Sequence, residues 1–164
     1  MPRLKPTPKE IELYVAQLAE TPKTIQAIVA GLSADDLRWS PSLKDWSVVE
    51  ILAHLRACAD VWTYSIYAML TEKQPTLPLF DERRWAKTLG YATLAFEMSM
   101  NAFTSQREDL LRTLCALDTE QWERTANIEG RNHSVFSQTR RMALHEIEHM
   151  QQFQDVMDQF KSKN

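Results

Sequence analysis

The sequence predicts an all-α chain folded as an antiparallel four-helix bundle, and three observations carry that reading. Apolar residues recur at helical spacing in four separate stretches of roughly 20 to 27 residues, each about 30 to 40 Å long as a helix. The 164 residues include three glycines, Gly31, Gly90 and Gly130, too few for the tight turns of a sandwich or a dinucleotide-binding fold. No stretch alternates polar and apolar residues with comparable strength. With 44% hydrophobic residues, residues 1–164 are expected to form one domain around one core. Residues 1–8 and 161–164 are expected to be flexible tails.

The first helix starts after Pro6 and Pro8, with Ile11, Val15 and Leu18 on one stripe, and resumes through Ile25, Ile28, Val29 and Leu32. Thr21-Pro22 between them reads as an N-cap with proline at the first helical position, so a kink or split is expected there. A loop from Ser33 to Asp45 follows. Ser47 then caps the second helix, Glu50 three residues on closes a capping box, and Trp46 is placed to pack on Ile51. Val48, Ile51, Leu52, Leu55, Ala59, Trp62, Ile66 and Met69 keep helical spacing to about Thr71, before Pro75 and Pro78 break the chain.

After a helical turn around Asp81 to Lys87, the third helix is expected from Tyr91 to Leu117, with Arg107 and Arg112 on its outer side. Asp118 to Asn132 is polar and contains Gly130, so it reads as a connection with a helical turn at Thr119 to Trp122. The fourth helix is expected from Ser134 to Phe160.

A net charge of -3 and 25% charged residues give no overall attraction to nucleic acid or to an anionic membrane. No stretch approaches the roughly 18 apolar residues of a membrane span. The expected address is the cytoplasm, where Cys58 and Cys115 stay reduced.

The chemistry concentrates in the histidines. His145 and His149 stand four apart on the fourth helix, so both rings share one face and can chelate one ion. Four histidines in the chain make such a pair common by chance, so direction decides. Met142, His145, His149 and Val156 share one stripe, flanked by Phe153 and Phe160, which turns both imidazoles inward. On the second helix His54 shares its stripe with Ile51, Cys58 and Val61, so three rings can converge.

Three buried imidazoles need partners for their donors and acceptors. A divalent transition metal held by His54, His145 and His149 supplies them and leaves a position open to water or substrate, as catalytic sites do. A histidine network bonded to Glu50, Glu148 or waters is the alternative. His145 to His149 also spells H-E-x-x-H, the zinc-protease helix in which Glu146 would be general base. No third ligand follows at the usual place, however, and helical rotation from His145 can turn Glu146 outward. His133, in the loop entering the fourth helix, can overhang the open face. Cys58 is a softer donor or a reactive thiol beside it. The five tryptophans are core fillers or line a substrate mouth.

The stretch from Trp46-Ser47-Val48-Val49-Glu50 to His54-Leu55, with His145-Glu-Ile-Glu-His149-Met-Gln-Gln152, resembles the DinB-like superfamily of damage-inducible four-helix proteins. Glu20-Thr21-Pro22, Phe80-Asp81, Arg107 with Leu110 and Leu111, and Trp122-Glu123-Arg124 follow the order that family shows. The resemblance implies a DinB-like bundle with a three-histidine metal site on His54, His145 and His149, and a homodimer. It further implies zinc or nickel as the metal, with iron or manganese as alternatives. The activity it implies is a hydrolase or thiol S-transferase, activating a water or a low-molecular-weight thiol toward a small-molecule substrate. A non-catalytic stress-response bundle is the competing reading.

Overall fold

Thr7 and Ser47 decide where the first two long helices begin. A computed structural model describes residues 5–163. In chain order its elements are α1 (Pro8–Ile28), α2 (Ala34–Leu37), α3 (Val48–Thr71), β1 (Thr76–Leu77), α4 (Glu82–Thr88), α5 (Phe96–Cys115), α6 (Thr119–Trp122), β2 (Thr125–Ile128), β3 (Arg131–Ser134) and α7 (Val135–Lys163). At α3 the Ser47 hydroxyl accepts from the Glu50 amide, and the Glu50 carboxylate accepts from the Ser47 amide at 2.8 Å. Capping of this kind contributes about 1 kcal/mol. Trp46 packs on the apolar cluster that holds Ile51, so the start of α3 is fixed from both sides. Glu50 itself is exposed and used by the cap, and it makes no bond to His54.

The long helices pair as α1–α7, α7–α3, α3–α5 and α5–α1. Consequently α1 and α3 lie across one diagonal of the bundle, and α5 and α7 across the other. The two chain segments that must cross a diagonal, 29–47 and 116–134, are long and carry the small elements. This ring order sets α3 against α7 and so brings His54 to His145 and His149.

Several expectations change. Thr21-Pro22 does not split the first helix: α1 runs through Pro22, and the Thr21 hydroxyl donates to the Gln17 carbonyl instead of capping a new helix. Proline at 22 cannot donate to the Leu18 carbonyl four residues back. Arg107 does so instead, at 3.2 Å from α5, so the missing bond is replaced from another helix. Arg107 is therefore no outer decoration; it is 2% exposed. Arg112 does stay outside, paired with Asp109.

The loop from Ser33 contains the single turn α2, with Ser33 and Asp36 forming its own capping box. α5 begins at Phe96, five residues later than expected. Gly90, at φ +66°, turns the chain left-handed, and Tyr91–Thr93 form a 3-10 turn. The Tyr91 hydroxyl donates to Asp60, which also takes Trp85 and Gln106. Asp60 thus ties α4 and this turn to α3.

The polar connection 118–132 is not featureless: β2 and β3 form an antiparallel hairpin, and β1 adds to β2 in parallel. The hairpin turns at Glu129 and Gly130, at φ +49° and +76°, the pair of positive values that a two-residue type I′ turn needs. α7 continues to Lys163, so residues 161–163 of the expected tail are helical. At the other end the Thr7 cap orders residues 7 and 8, while the rest of that expected tail lies largely outside the described residues.

Two apolar clusters fill the bundle. One gathers Leu18, Val61, Leu110, Phe136 and Met142; the other gathers Ile25, Leu52, Phe103, Phe153 and Val156. Between them lies a polar layer. Arg107 crosses it from α5 to α7 and makes a two-pronged ion pair with Glu146, each prong on its own carboxylate oxygen. Both residues are at least 97% buried, so every charged atom there depends on its partner.

Candidate metal centre

Helix spacing aims the imidazoles, and the α3–α7 contact closes the distance between them. His145 Nε2 lies 3.1 Å from His149 Nε2 on the same helix and 3.3 Å from His54 Nε2 on α3. The His54 and His149 ring centres are 5.0 Å apart. The three rings predicted to converge do so. Each is half-buried, which leaves one side of the cluster open.

The hydrogen bonds make this meeting awkward without a cation. His149 Nδ1 lies 2.7 Å from Gln152 Oε1, so that nitrogen carries the proton and His149 Nε2 presents a lone pair. His145 Nε2 lies between two ring nitrogens and can share a proton with only one of them. Its Nδ1 is buried with no partner. Neutral rings therefore leave at least one Nε2–Nε2 contact without a proton. A single cation between them satisfies all three nitrogens, and at metal–nitrogen bonds of about 2.05 Å a tetrahedral site separates its nitrogens by about 3.3 Å. The 3.1 and 3.3 Å of the two pairs that His145 makes fit that spacing, while the donor atoms that all lie within 4.8 Å of one another are those of His54, Cys58 and His145. Of the carboxylates offered for the alternative network, neither Glu50 nor Glu148 holds His149; Gln152 does.

Burial and neighbouring charges keep the rings neutral. Loss of hydration pulls His145 down to about 3, with the nearby His149, His54 and Arg141 adding to it. The same cause, with His149 and Arg83, pulls His54 down to about 4. His149 is lowered too, although the Gln152 bond works against burial. Neutral imidazole is the form that binds a metal.

The shifts make a testable statement about the metal-free protein. In the unfolded chain these histidines take up protons near the ordinary value of 6.5, whereas the folded chain keeps His54 and His145 neutral until about 4 and about 3. Between those limits the unfolded state holds more protons, so stability rises with pH. It is fully present above 6.5 and is lost as pH falls through the window. Urea midpoints measured after chelation should therefore be lower at about pH 5 than at about pH 7.5. A midpoint that does not change would contradict the buried, neutral state.

The walls are aromatic. Trp46 stacks on His149 at 6.3 Å and 14° and touches His54 at 5.1 Å, while Trp62 meets His145 edge-on at 4.9 Å. Arg83 covers the outer face of Trp46, and Arg141 that of Trp62. Glu82, in the first turn of α4, accepts from the Trp62 indole at 2.8 Å and stands 3.7 Å from Arg141. Trp46 and Trp62 thus pack on the histidines as well as on the two apolar clusters. Glu82, Arg83 and Arg141 were not foreseen, since their own helices carry no signal for them.

The remaining candidates divide. Glu146 is turned into the bundle and both its oxygens are taken by Arg107, so the zinc-protease role for it is ruled out: it cannot serve as the base. His133 sits on β3 opposite Ala126 and makes no hydrogen bond or ring contact with the three histidines. Its ring is lowered by burial and by Arg141 and Arg131. Cys58 is buried with Sγ 3.5 Å from His54 Nε2, and burial raises its thiol well above the usual range. A depression of about 380 Å³ beside Met69, Lys73 and Arg124 lies some fifteen residues along α3 from His54, about 22 Å, and is separate from this cluster.

A sequence model of the DinB superfamily matches residues 17–153. The chain belongs to the DinB superfamily. A Geobacillus thermodenitrificans protein, provisionally named a metal-dependent hydrolase, is 29% identical over 56% of this chain and 52% of its own length. The DinB chain described here thus spans about half of that relative. A Halalkalibacterium halodurans protein with the same kind of name is 23% identical over 71% of this chain and 68% of its own. In structure, YfiT from Bacillus subtilis superposes with a TM-score of 0.86 at 16% identity, covering 98% of this chain and 93% of that one. It is described as a probable metal-dependent hydrolase with an unusual four-helix bundle topology. That likeness establishes the fold: a mainly helical DinB-type bundle. Among the described residues no helix is long and apolar enough to cross a membrane.

Proposed function

We propose that this protein is a metal-dependent hydrolase or thiol transferase whose divalent ion is held by the Nε2 atoms of His54, His145 and His149. One observation carries the reading: three neutral imidazole nitrogens meet at 3.1 and 3.3 Å with no proton arrangement that satisfies them all. The names of the relatives agree with it. A bound ion of this kind supplies Lewis acidity and makes a water or a thiol nucleophilic near neutral pH.

The chain's own groups do the rest. Gln152 fixes the His149 tautomer, and the Trp46 and Trp62 rings hold the imidazoles in place and exclude water from one side. Glu82 is the carboxylate whose charge acts on both His54 and Cys58. With one oxygen given to Trp62, its carboxylate is the group we assign to take a proton from the nucleophile. Arg83 and Arg141 hold positive charge over the mouth. The substrate is a small molecule, the chain works in the cytoplasm, and a homodimer is its assembly.

The test is turnover of aryl esters, and of aromatic halides with added low-molecular-weight thiols. Activity should disappear on chelation and return with zinc or nickel. Turnover that survives chelation sinks the proposal. A metal-loaded protein inactive across both panels belongs instead to the non-catalytic, metal-binding class.

A further inference from the structure

We propose that Gln138, Glu82 and Arg141 hold one buried water between α7 and α4, and that Gln138 positions the Glu82 carboxylate through it. The positioning role rests on the part given to Glu82 in the reading above. Gln138 stands seven residues before His145, two turns along the same face of α7, so the stripe that carries the metal donors continues into a polar position. Gln138 is 1% exposed, and its side-chain oxygen is buried with no hydrogen-bond partner. Buried amide oxygens are paired with few exceptions, and each exception needs a reason.

A small cavity supplies the reason. Trp62, Ser65, Phe80, Glu82, Gln138 and Arg141 line a space of about 10 Å³, about the room that one water needs. A second observation at the same cavity is independent of the amide. Arg141 Nη2 stands 3.7 Å from Glu82 Oε1, close enough for charge attraction and too far for a direct hydrogen bond. A water beside both can complete the contact that the two side chains do not make themselves.

The donors and acceptors then balance. The water donates one proton to Gln138 Oε1 and the other to the Glu82 carboxylate, and it accepts from the Arg141 guanidinium, which gives the three bonds usual for a buried water. Ser65 is not needed for this, since its hydroxyl donates to the Val61 carbonyl. Glu82 accepts from the Trp62 indole and from the water, and two donors from different elements fix its rotamer. Without the water the carboxylate can close on Arg141 as a direct pair and turn away from the histidines.

Two tests need no turnover. A high-resolution crystal structure of the full chain should show an ordered water within about 3.2 Å of Gln138 Oε1, of Glu82 and of Arg141. A dry cavity among ordered side chains overturns the proposal, even if no variant folds. In solution, Gln138→Leu should lower Tm, because it takes a partner from the water. A Tm above that of the wild type overturns the proposal, since an amide with no partner is better replaced by hydrocarbon. For the positioning role, Gln138→Leu should still bind one zinc per chain and lose about tenfold in kcat on aryl esters with KM unchanged. That is a share of the roughly 10²- to 10⁴-fold that a placed proton acceptor supplies. An unchanged kcat in this variant overturns the positioning role. Wild-type protein that binds zinc and turns over no ester fails differently: it overturns the part given to Glu82 and the positioning role with it, while the crystal structure and Tm still decide the water.

Discussion

Arg107→Met is expected to destabilise the protein by about 3 to 5 kcal/mol, the usual cost of removing one partner from a buried ion pair. The cause is what remains. Glu146 would stay 3% exposed with no counter-charge, and the Leu18 carbonyl, which Pro22 cannot serve, would lose its only replacement donor. Charge and carbonyl together leave three acceptor oxygens in the polar layer between the two apolar clusters. The double variant Arg107→Met/Glu146→Leu should recover most of the loss, because well-packed apolar residues often replace a buried pair without cost. Only the Leu18 carbonyl then stays unsatisfied, a penalty of about 1 to 3 kcal/mol. Denaturant unfolding of the wild type and both variants decides the matter. A single variant within about 1 kcal/mol of the wild type, or a double variant no better than the single, would show that the pair does not hold the layer together.

The same pair shows where sequence reasoning reaches its limit. The start of helix α3 was legible, because Ser47 and Glu50 form a local cap whose partners are three positions apart. The inward stripe of Met142, His145, His149 and Val156 was legible for a similar reason: spacing along one helix fixes its own faces. Arg107 was misplaced because a charged residue at a helical position is outside far more often than inside. Its burial depends on a carboxylate across the diagonal and on a carbonyl that a proline in α1 leaves free. Neither partner can be paired with it from one chain's periodicity. The Pro22 expectation failed by the same long-range compensation. The hairpin at 125–134 was hidden because its strands are four residues long and mostly polar, and only the Glu129-Gly130 turn marked it. At the site, the three imidazoles were readable from spacing, whereas Glu82 and Arg83 reach it through the docking of α4 on Asp60, and Arg141 of α7 meets Glu82 only because of that docking.

His145→Ala is expected to remove the metal altogether while the bundle still folds. His145 Nε2 is the nitrogen in contact with both of the others, so its loss separates His54 from His149 and leaves no three-nitrogen set. The ring is half-buried and its Nδ1 bonds nothing, so truncation breaks no internal hydrogen bond apart from the nitrogen contacts themselves. Binding to the folded state alone stabilises by mass action, about 2.7 kcal/mol at a free-ion concentration one hundred times Kd. For a chain of this size that raises Tm by roughly 5 to 10 °C. The wild type should show this rise between chelated and zinc-loaded samples, with one metal per chain by elemental analysis. His145→Ala should show neither, His149→Ala and His54→Ala should follow it, and His133→Ala should behave as the wild type, since it contacts none of the three rings. One equivalent of metal and a full thermal shift retained in His145→Ala would mean that the ion sits elsewhere and that the meeting of the three nitrogens has another purpose.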